Sequence, residues 1–512
     1  MALFPISASL LGLVASASGL TFDIPTSPPS NSSGQVSAAP VGVSLEFFTF
    51  PEYIQDVKST IFRHPRLQTQ VGRSLQLPLE FFTFPEYIQD VKSTMTCLEN
   101  LKDLTGTWPP MRIGGTTQDR ATYDSSSTEA VTYTVASPGA APETLTYGPS
   151  FISLAASYAG EVIIGLNRRL DDITNTISAA ILAQSKMDNL YSIELGNEPN
   201  FFVDSDPIAN GASWTAAADE ASQVSWQDAV CGNLSATDII SAGVYFGTSP
   251  MSLVGLTARE GDANDYVKDY CSHNYPQSSG SYNLATLMGH SNIATQVKPY
   301  AAEISAAAGK GKPHIFGETN SATQGGGGIS PTFGAALWIL DYVMQTILMG
   351  TDALYFHQGT IGNCQYCWWG RYNIGSPYYG AYFATMALAN ADQIASLDSQ
   401  DTAYAAYAIY KAGAPVRVLL YNSDYYISTS GTRSLQTYTL SGLSSLSVTA
   451  KRLTAPYATS RVDQGQNPTV AGQTFVNGTC TIQGTESVET VTVSGGKATF
   501  TVAASEALLV YL

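Results

Sequence analysis

Cationic side chains are scarce in this 512-residue chain. Lys and Arg together number 24, against 41 Asp and Glu, and the formal net charge is -17. A field of that sign repels polyanions and slows their encounter with the protein. We therefore expect no nucleic-acid or heparin-like partner, and a neutral or weakly acidic substrate fits the chain better.

Long apolar runs are also missing. Residues 1–19 join an apolar stretch to a run of small residues, although no Lys or Arg precedes that stretch. This pattern is typical of a signal peptide, and neither it nor any later segment offers the roughly 20 apolar residues that span a bilayer. We expect a soluble, secreted, extracellular protein, and the N-x-S/T triplets at Asn31, Asn233 and Asn477 are compatible with glycosylation during export.

Cysteine is sparse as well. The six cysteines allow one to three disulfides, whose pairing the sequence does not determine. Cys364 and Cys367 have the spacing of a redox or metal motif, but the chain has no second CxxC pair and no nearby HxxxH to complete a zinc site. We expect a local disulfide or two free thiols there, and neither a metal nor another cofactor.

Short apolar runs alternate with helix-length amphipathic segments from about residue 41 to 395, which is the signature of repeated βα units. Eight candidate strands follow one another: LEFF (in either of two identical segments), MRIGG (111–115), VIIGLN (162–167), YSIEL (191–195), SAGVYFG (241–247), YCSHNYP (270–276), HIFGE (314–318) and DALYFHQ (352–358). Eight such units close a (β/α)8 TIM barrel. Within 171–190, a helix is predicted to bury an apolar stripe that includes Ile177 and Ile181.

The first candidate strand lies in a segment that is present twice. LEFFTFPEYIQDVKST occupies residues 45–60 and again 79–94. A structural repeat keeps its pattern while its exposed positions drift, so complete identity indicates a recent duplication or a misassembled gene model. Only one copy can fill one strand position, and the sequence does not say which.

A change in residue composition and periodicity near residue 396 predicts a second domain. Ser, Thr, Val and Tyr alternate with period two between Gly-containing turns over 396–512, which indicates an antiparallel β-sandwich. Residues 20–40 are rich in Pro, Ser and Gly and form an N-terminal segment that could join this sandwich. The predicted fold class is α/β, a (β/α)8 barrel followed by a C-terminal β-sandwich.

Two glutamates follow apolar strands in polar contexts. Glu198 lies in ELGNEPN (194–200) after the fourth candidate strand, and Glu318 lies in IFGETN (315–320) at the end of the seventh. The C-terminal ends of barrel strands are where such barrels carry out their chemistry. A single strand-end Glu more often caps a helix, but two in barrel register match the two carboxylates of a retaining glycosidase. We predict Glu198 as general acid/base and Glu318 as nucleophile, the latter kept ionised by donors such as Arg112 and Tyr275.

Four motifs carry a resemblance to a known family: MRIGGTTQDRATYD (111–124), IIGLNRRL (163–170), IELGNEPN (193–200) and GETNSATQGGGG (317–328). Together they resemble glycoside hydrolase family 79, the β-glucuronidase and heparanase group of clan A, from about residue 41 to the C-terminus. By position, the resemblance implies the same two catalytic roles for Glu198 and Glu318. It also implies that Asn197 bonds the sugar 2-hydroxyl and that His273 and Tyr275 form the wall of the active site.

The resemblance further implies how a glucuronate would be held. Its carboxylate would lie against the glycine-rich loop at Gly325 and Gly326, with Tyr366 nearby, because successive backbone N–H groups can bind an anion. The chain departs from the heparanase-like pattern at Thr323, where a tyrosine would be expected. The Glu of the first-strand motif, Glu46 or Glu80, would lie near the outer hydroxyls of the sugar.

A tryptophan pair, Trp368 and Trp369, follows the eighth candidate strand and could be a stacking platform for a sugar or part of the core. The leading function is an exo-acting retaining β-glucuronidase that removes terminal glucuronate, with or without a 4-O-methyl group, from glycans. One alternative is an endo-acting heparanase-like hydrolase, which would need a basic cleft. The other is a non-catalytic carbohydrate-binding barrel, and the sequence determines neither the aglycone nor the oligomeric state.

Overall fold

The computed structural model describes residues 19–30, 33–47, 93–136, 140–359, 364–370 and 372–512. Numbered along these residues, the strands up to residue 358 are β1 Leu20–Asp23, β2 Ser33–Gln35, β3 Val41–Glu46, β4 Met111–Gly114, β5 Ala121–Tyr123, β6 Val131–Tyr133, β7 Leu145–Tyr147, β8 Val162–Leu166, β9 Leu190–Leu195, β10 Ile240–Phe246, β11 Val267–Asn274, β12 His314–Thr319 and β13 Thr351–Gln358. The α-helices are α1 Ser93–Thr105, α2 Pro149–Ala156, α3 Ile173–Lys186, α4 Ala216–Leu234, α5 Leu253–Arg259, α6 Leu284–Met288, α7 His290–Val297, α8 Ala301–Gly309, α9 Phe333–Met349 and α10 Ser376–Leu388.

Eight of these strands close a parallel barrel. Their order around the barrel is β3, β4, β8, β9, β10, β11, β12 and β13, and β13 pairs with β3 to complete the ring. The strands are buried nearly throughout, as expected for a parallel sheet that is covered by helices on its outside. The predicted (β/α)8 barrel is confirmed, and β5, β6 and β7 form a small separate sheet after its second strand.

The first barrel strand comes from the first of the two identical segments. It spans Val41–Glu46, four residues earlier than the predicted LEFF, and ends at Glu46 with Phe47 buried behind it. Helix α1 begins at Ser93, in the last two residues of the second copy. The two copies therefore contribute to consecutive elements of one βα unit, whereas Glu80 lies outside the described residues.

Helix α3 packs through small side chains and through part of the predicted apolar stripe. Its buried residues are Thr176, Ala179, Ala180 and Ala183, and Ile177 packs partly buried against the same core, as do Ile173 and Leu182. Ile181 was wrongly predicted, because it is 46% exposed. The helix starts at Asp172, whose carboxylate accepts the Asn175 N–H at 3.0 Å.

Two packed sheets form the second domain. Its remaining strands are β14 Gln393–Ser396, β15 Tyr404–Lys411, β16 Ala414–Asn422, β17 Leu435–Ser441, β18 Ser447–Thr454, β19 Thr469–Val470, β20 Thr474–Phe475, β21 Ile482–Gln483, β22 Glu489–Thr492, β23 Lys497–Ala503 and β24 Glu506–Tyr511. The larger sheet runs β19, β18, β24, β16, β15, β14, β2, and the smaller runs β1, β17, β23. Residues 20–40 thus contribute one strand to each sheet, and β14 places the start of the sandwich slightly before residue 396. Most pairs are antiparallel as predicted, but β1 pairs with β17 in parallel.

Disulfides join distant and local parts of the chain. Cys97 in α1 is bonded to Cys480 in the sandwich domain. Cys364 is bonded to Cys367, so of the two alternatives predicted for CQYC, a local disulfide or two free thiols, the structure has the disulfide. Cys231 and Cys271 are buried free thiols. Among the described residues, no helix is both long enough and apolar enough to cross a membrane.

A buried imidazole connects the barrel to the sandwich. His290 at the start of α7 contacts Asp341 of α9 through Nδ1 at 2.8 Å and Asp398, after β14, through Nε2 at 3.1 Å. The Tyr407 hydroxyl donates to the other oxygen of Asp341 at 2.6 Å. Burial alone would lower the pKa of His290, but the two carboxylates outweigh it and raise that pKa to about 10. A protonated imidazole therefore holds the two domains together.

We expect His290→Leu to lower the free energy of unfolding by about 3–5 kcal/mol near pH 7, because it leaves two buried carboxylates without their cation. The pKa is higher in the folded state than in the unfolded chain, where it is about 6.5. Its contribution is therefore complete below pH 6.5 and is lost as the pH rises towards 10. Urea unfolding at pH 6.5, 8 and 9.5 should show the difference from wild type shrinking.

His314→Leu is the matched control for that series. His314 is also fully buried, but burial lowers its pKa to about 3, so its imidazole is neutral at all three pH values. The stability loss of this variant should rise by only about 0.4 kcal/mol between pH 6.5 and 9.5, as the imidazole of the unfolded chain loses its proton. A loss for His290→Leu that changes in the same way would show that the imidazole is not protonated in the folded protein.

Candidate active site

Glu198 and Glu318 lie at the C-terminal ends of the fourth and seventh barrel strands. Glu198 follows β9 with a left-handed backbone, φ 47°, which is uncommon for a residue other than glycine. Its N–H donates to the Val244 carbonyl of β10 at 3.1 Å, so the bend is fixed to the neighbouring strand. Glu318 belongs to β12 itself, where every residue is buried. The two side chains therefore project into the barrel mouth from opposite sides.

Arg112 forms hydrogen bonds to side chains of both β9 and β12. Its guanidinium is fully buried and binds both oxygens of Glu194 at 2.7 to 2.9 Å. The same group donates to Glu318 Oε2 at 2.7 Å and to Asn197 Oδ1 at 2.9 Å. A planar guanidinium can make these bonds in one plane, whereas a lysine could not. Arg112 thus donates to Glu318 as predicted, and it is not among the residues that line the cavity, so a direct contact with substrate stays a prediction.

The surroundings of Glu318 favour its ionised form. Burial alone would raise its pKa, but the positive charges of His357 and Arg112 and a hydrogen bond from the Tyr275 hydroxyl hold it well below the usual range of a glutamate. The Tyr275 bond is 2.6 Å long, and His357 Nδ1 lies 3.7 Å from Glu318 Oε2. Glu318 is therefore an anion throughout the ordinary pH range.

Glu198 is held in the opposite state. Burial and, after it, the negative charge of Glu318 raise its pKa to about 8 against the opposing charges of Arg112 and His357. Its partner is His273, whose Nδ1 lies 2.9 Å from Glu198 Oε1. Because burial lowers the pKa of His273 to about 4, that imidazole is neutral at pH 7 and does not ionise the carboxyl. Glu198 therefore carries a proton in the resting protein.

The two carboxyl groups are close to each other. Together with a ring nitrogen of His273, one oxygen of Glu198 and one oxygen of Glu318 all lie within 4.8 Å of one another. His273 is fully buried, contacts Glu198 and is not among the residues that line the cavity, so its place in the active-site wall stays a prediction. With a sugar ring bound between the two carboxyl groups, this short separation leaves no room for the additional water molecule that an inverting enzyme needs.

Asn197 is oriented by a second buried carboxylate. The Asn197 N–H donates to Asp119 Oδ2 at 2.6 Å, and the backbone N–H groups of Arg168 and Arg169 donate to Asp119 Oδ1. The side-chain oxygen of Asn197 faces Arg112, as described above, and only 6% of the residue is exposed. Asn197 thus presents its remaining NH2 group at the base of the site, and it is held there by Asp119.

The strand ends surround a cavity of about 520 Å³. Its walls are formed by Glu46, Thr116, Ala141, Glu198, Phe201, Phe246, Tyr275, Glu318, Thr323, Gln324, Gly325, His357, Gly359 and Tyr366. Among these described lining residues there is no Lys or Arg. Of the predicted contacts, the structure brings Glu46, Tyr275, Gly325 and Tyr366 to this wall together with both catalytic candidates.

The glycine-rich loop contributes to the wall at one position. Gln324, Gly325 and Gly326 have φ of 58°, 80° and 94°, a run of left-handed backbone that glycine makes possible. The Gly326 N–H donates to the Thr323 carbonyl at 3.2 Å, and the Gly327 N–H donates to Ser330. These N–H groups are used within the loop, so the expectation that Gly326 contacts a carboxylate was wrong, whereas Gly325 lies on the wall. The Gln365 N–H donates to the Gly325 carbonyl at 2.7 Å, which ties the loop to the segment that bears Tyr366.

Three functional side chains were not predicted. Glu194, His357 and Asp119 are buried and carry the contacts that orient or charge the catalytic pair. Glu194 could have been found from period two along β9, because it shares a strand face with the residues leading to Glu198. Trp368 and Trp369 are 0% and 1% exposed. Trp368 packs against Phe356, and Trp369 packs against Tyr378. The tryptophan pair is therefore part of the core, and the prediction of a stacking platform for a sugar was wrong.

Two groups of side chains have the donor types of a metal site: Glu194, Cys271 and His273, and Glu198, His273 and Glu318. In the first, both oxygens of Glu194 already bind Arg112, and burial raises the pKa of the Cys271 thiol well above its usual range. In the second, Glu318 is neutralised by Arg112 and Glu198 holds a proton. The second group is thus a protonated carboxyl group beside an ionised one.

Of the two equivalent glutamates in the duplicated segment, Glu46 in the first copy lines the cavity. Its carboxylate accepts the Thr117 N–H at 3.0 Å and lies 3.6 Å from His357 Nε2. We expect Glu46→Gln to lower kcat/KM about tenfold to a hundredfold, because it removes one polar contact at the sugar position and a negative charge that raises the pKa of His357. Steady-state kinetics on an aryl glycoside of the accepted sugar would measure this.

Glu80→Gln is a control with the same local sequence. It occupies the identical position in the second copy, and we expect it to leave kcat/KM unchanged. Deletion of Phe48–Phe81 keeps one complete copy that retains Glu46, and the Glu46→Gln loss should recur in that shorter chain. A loss for Glu80→Gln alone would mean that the second copy supplies the active-site Glu.

A (β/α)8 barrel that presents an ionised and a protonated glutamate at facing strand ends defines a glycoside hydrolase. A solved structure from Fusarium oxysporum 12S, described as a 4-O-α-L-rhamnosyl-β-D-glucuronidase in complex with Rha-GlcA, is 66% identical, with a TM-score of 0.88 over 96% of this chain and 100% of that chain. Residues 406–509 match the model of the glycosyl hydrolase family 79 C-terminal beta domain. The chain belongs to glycoside hydrolase family 79.

Two curated relatives support this assignment. A β-glucuronidase of Neurospora crassa is 29% identical over 442 residues, which cover 76% of this chain and 78% of the relative. A β-glucuronidase of Aspergillus niger is 30% identical over 363 residues, which cover 64% of this chain and 66% of the relative. The family resemblance predicted from the four motifs is confirmed.

Proposed function

We propose that this protein is a retaining β-glucuronidase in which Glu198 is the general acid/base and Glu318 the nucleophile. The observation that carries the proposal is the close approach of two carboxyl groups, within 4.8 Å, with pKa values displaced in opposite directions. Retaining enzymes hold this pair about 5–5.5 Å apart, whereas inverting enzymes need about 6.5–9.5 Å to admit a water molecule.

In the first step, the ionised Glu318 attacks the anomeric carbon while Glu198 gives its proton to the glycosidic oxygen. The bond between the anomeric carbon and that oxygen breaks, the aglycone leaves as an alcohol, and Glu318 becomes a glycosyl ester. Arg112 and Tyr275 hold one oxygen of Glu318 each, which leaves the carboxylate in a fixed orientation for attack. His273 Nδ1 lies 2.9 Å from Glu198 Oε1 and fixes the orientation of the acid.

In the second step, Glu198 is a carboxylate and acts as a base. It takes a proton from water, the resulting hydroxide forms a bond to the anomeric carbon, and Glu318 leaves as a carboxylate. Two inversions at the same carbon return the β configuration. The negative charge of Glu318 is restored at the end, which raises the pKa of Glu198 again for the next cycle.

Glucuronate is the sugar that the relatives favour. The Fusarium, Neurospora and Aspergillus proteins are all described as acting on β-glucuronides. Gly325 and Tyr366 on the cavity wall offer neutral donors to a carboxylate, so the anion can be bound without Arg or Lys. The unit removed is a terminal glucuronate, with or without a 4-O-methyl group. A second candidate is glucuronate that carries α-L-rhamnose at O4, which the 66% identity to the Fusarium enzyme favours.

The alternatives from the sequence are less well supported. An endo-acting hydrolase of a polyanion would need cationic groups along its cleft, and the described cavity wall contains neither Lys nor Arg. A non-catalytic barrel would need a missing carboxylate or a disrupted first strand, and here both glutamates and β3 are in place. We also propose export, with the two disulfides as the supporting observation, because disulfides persist in oxidising compartments.

The test is release of 4-nitrophenol from its β-D-glucuronide, β-D-glucoside and β-D-galactoside by the purified protein. The same assay on the 4-nitrophenyl glycoside of Rha-GlcA separates the two glucuronate candidates. Selective cleavage of either glucuronide supports the proposal, and proton NMR of the first-formed sugar should show the β anomer. Preferred cleavage of the glucoside or galactoside, or an α product, would overturn it.

The pH profile should reflect the two displaced pKa values. Glu198 has a pKa raised to about 8, so we expect kcat/KM to be constant near neutrality and to fall tenfold per pH unit above about 8. Glu318 has a lowered pKa, so the acidic limb should lie below the usual glutamate value of about 4.3. An alkaline limb near pH 5 or 6 would mean that Glu198 is not the buried acid described here.

A further inference from the structure

Three aromatic rings form a row from the nucleophile to the protein surface. Tyr275 donates its hydroxyl to Glu318 at 2.6 Å, and its ring lies nearly parallel to Phe246, with centroids 6.4 Å apart and 19° between the planes. Phe201 continues the row 5.3 Å from Phe246. All three line the cavity, and Phe201 is 57% exposed. We call Phe201 and Phe246 the aromatic shelf.

The shelf is fixed to the same backbone as the acid. The Phe201 N–H donates to the Glu198 carbonyl at 2.9 Å, within the short turn that follows Glu198. The Phe246 N–H donates to the Asn200 side-chain oxygen, also at 2.9 Å. The hydrogen bonds that set the position of the proton donor therefore also set the position of the two rings beside it.

The position of Glu198 shows which part of a substrate reaches the shelf. The acid must approach the glycosidic oxygen, and Glu318 must approach the anomeric carbon on the glucuronate side of that oxygen. The group attached to the far side of the oxygen therefore begins next to Glu198, where Phe246 and Phe201 lead outwards. A large exposed apolar ring that continues a cavity wall is characteristic of a ligand surface.

The chemistry of the shelf selects the kind of group that it binds. Two phenyl rings provide apolar area and no hydrogen-bonding or charged group, which suits the C–H face of a pyranose. No Lys or Arg lines the described cavity, and the net charge of -17 disfavours a second anionic sugar. We propose that the aromatic shelf is the aglycone subsite and that it binds a neutral hexopyranose. This proposal rests on the proposed function, which supplies the roles of Glu198 and Glu318.

The test compares a substrate that reaches the shelf with one that does not. β-D-Glucuronosyl-(1→6)-D-galactose places a neutral hexopyranose next to Glu198, whereas β-D-glucuronosyl fluoride has a single atom there. We expect Phe201→Ala to lower the ratio of kcat/KM for the disaccharide to kcat/KM for the fluoride about tenfold. Phe201→Trp should restore the ratio, because it replaces the stacking area without restoring the original side chain.

Tyr425→Ala is the control for loss of an exposed ring. Tyr425 is 40% exposed and belongs to the sandwich domain, so its removal should leave the ratio unchanged. An unchanged ratio for Phe201→Ala, or an equal loss on both substrates, would overturn the shelf proposal, since an equal loss means that the ring only supports the Glu198 turn. If the wild-type protein hydrolysed neither substrate, the proposed function itself would fail, which is a different result from a failure of the shelf.

Discussion

Glu318→Ala is expected to lower kcat on 4-nitrophenyl β-D-glucuronide by at least about 10⁴-fold. The substitution removes the atom that forms the glycosyl ester, and neither Glu198 nor Glu194 can take its place. Glu198 is on the opposite side of the sugar, and Glu194 has both oxygens bound to Arg112. Azide added to the variant should occupy the vacated volume and attack the anomeric carbon from the nucleophile's side. The product expected by NMR is the α-glucuronosyl azide.

The fold should survive this substitution. Arg112 remains paired with Glu194 when Glu318 is removed, so the change does not leave an isolated buried charge. A thermal midpoint close to that of the wild type would show that the loss is chemical. Glu99→Ala, on the exposed face of α1, is the control and should leave kcat unchanged. Residual activity within tenfold of wild type, or a β-glucuronosyl azide, would exclude Glu318 as the nucleophile.

The catalytic positions could be predicted from the sequence because they depend on local pattern. β9 and β12 are short strands rich in apolar residues, and Glu198 follows the end of β9 by three residues whereas Glu318 lies near the end of β12. The order of eight such strands fixes which ends face each other. The family resemblance, rather than strand pattern, gave Glu46 or Glu80 as a site residue, and the duplication left the copy undetermined until β3 was seen to end at Glu46. Strand ends are thus accessible to prediction because one periodicity determines them.

The electrostatic surroundings could not be predicted in the same way. Arg112 contacts Glu194 and Glu318, which are 82 and 206 residues away in the chain. The direction of its side chain depends on the barrel closing with one particular register. His357 was overlooked for the same reason, because nothing in DALYFHQ indicates that its imidazole lies between two carboxylates. The two glutamates have different pKa values because the register of the closed barrel gives them different neighbours, not because the residues themselves differ.

Packing also changed some local predictions. Ile181 is exposed because α3 approaches its neighbours with alanines, which allow a closer contact than branched side chains. Gly326 uses its N–H within its own turn, so a run of glycines gave backbone freedom where an anion site was expected. In both places the sequence pattern was genuine, but the structure uses it for close packing or for a turn.

Glu198→Ala should produce a loss that depends on the leaving group. A sugar alcohol is a poor leaving group and needs the proton of Glu198, so kcat/KM for β-D-glucuronosyl-(1→6)-D-galactose should fall about 10²- to 10⁴-fold. Fluoride and activated phenols leave with less assistance, so for these substrates the first step should be affected much less. The alkaline limb near pH 8 should also disappear for the activated substrates, since the group that titrates there has been removed.

Glu318→Ala is the matched comparison, because loss of the nucleophile should be equally severe for good and poor leaving groups. Azide distinguishes the two variants again. With Glu198 replaced, the glycosyl ester on Glu318 still forms, and azide attacks it from the face that water would use, which gives the β-glucuronosyl azide. An equal loss on galactose, phenol and fluoride leaving groups would show that Glu198 does not donate the proton. The buried carboxyl with a pKa of about 8 would then serve only to position its neighbours.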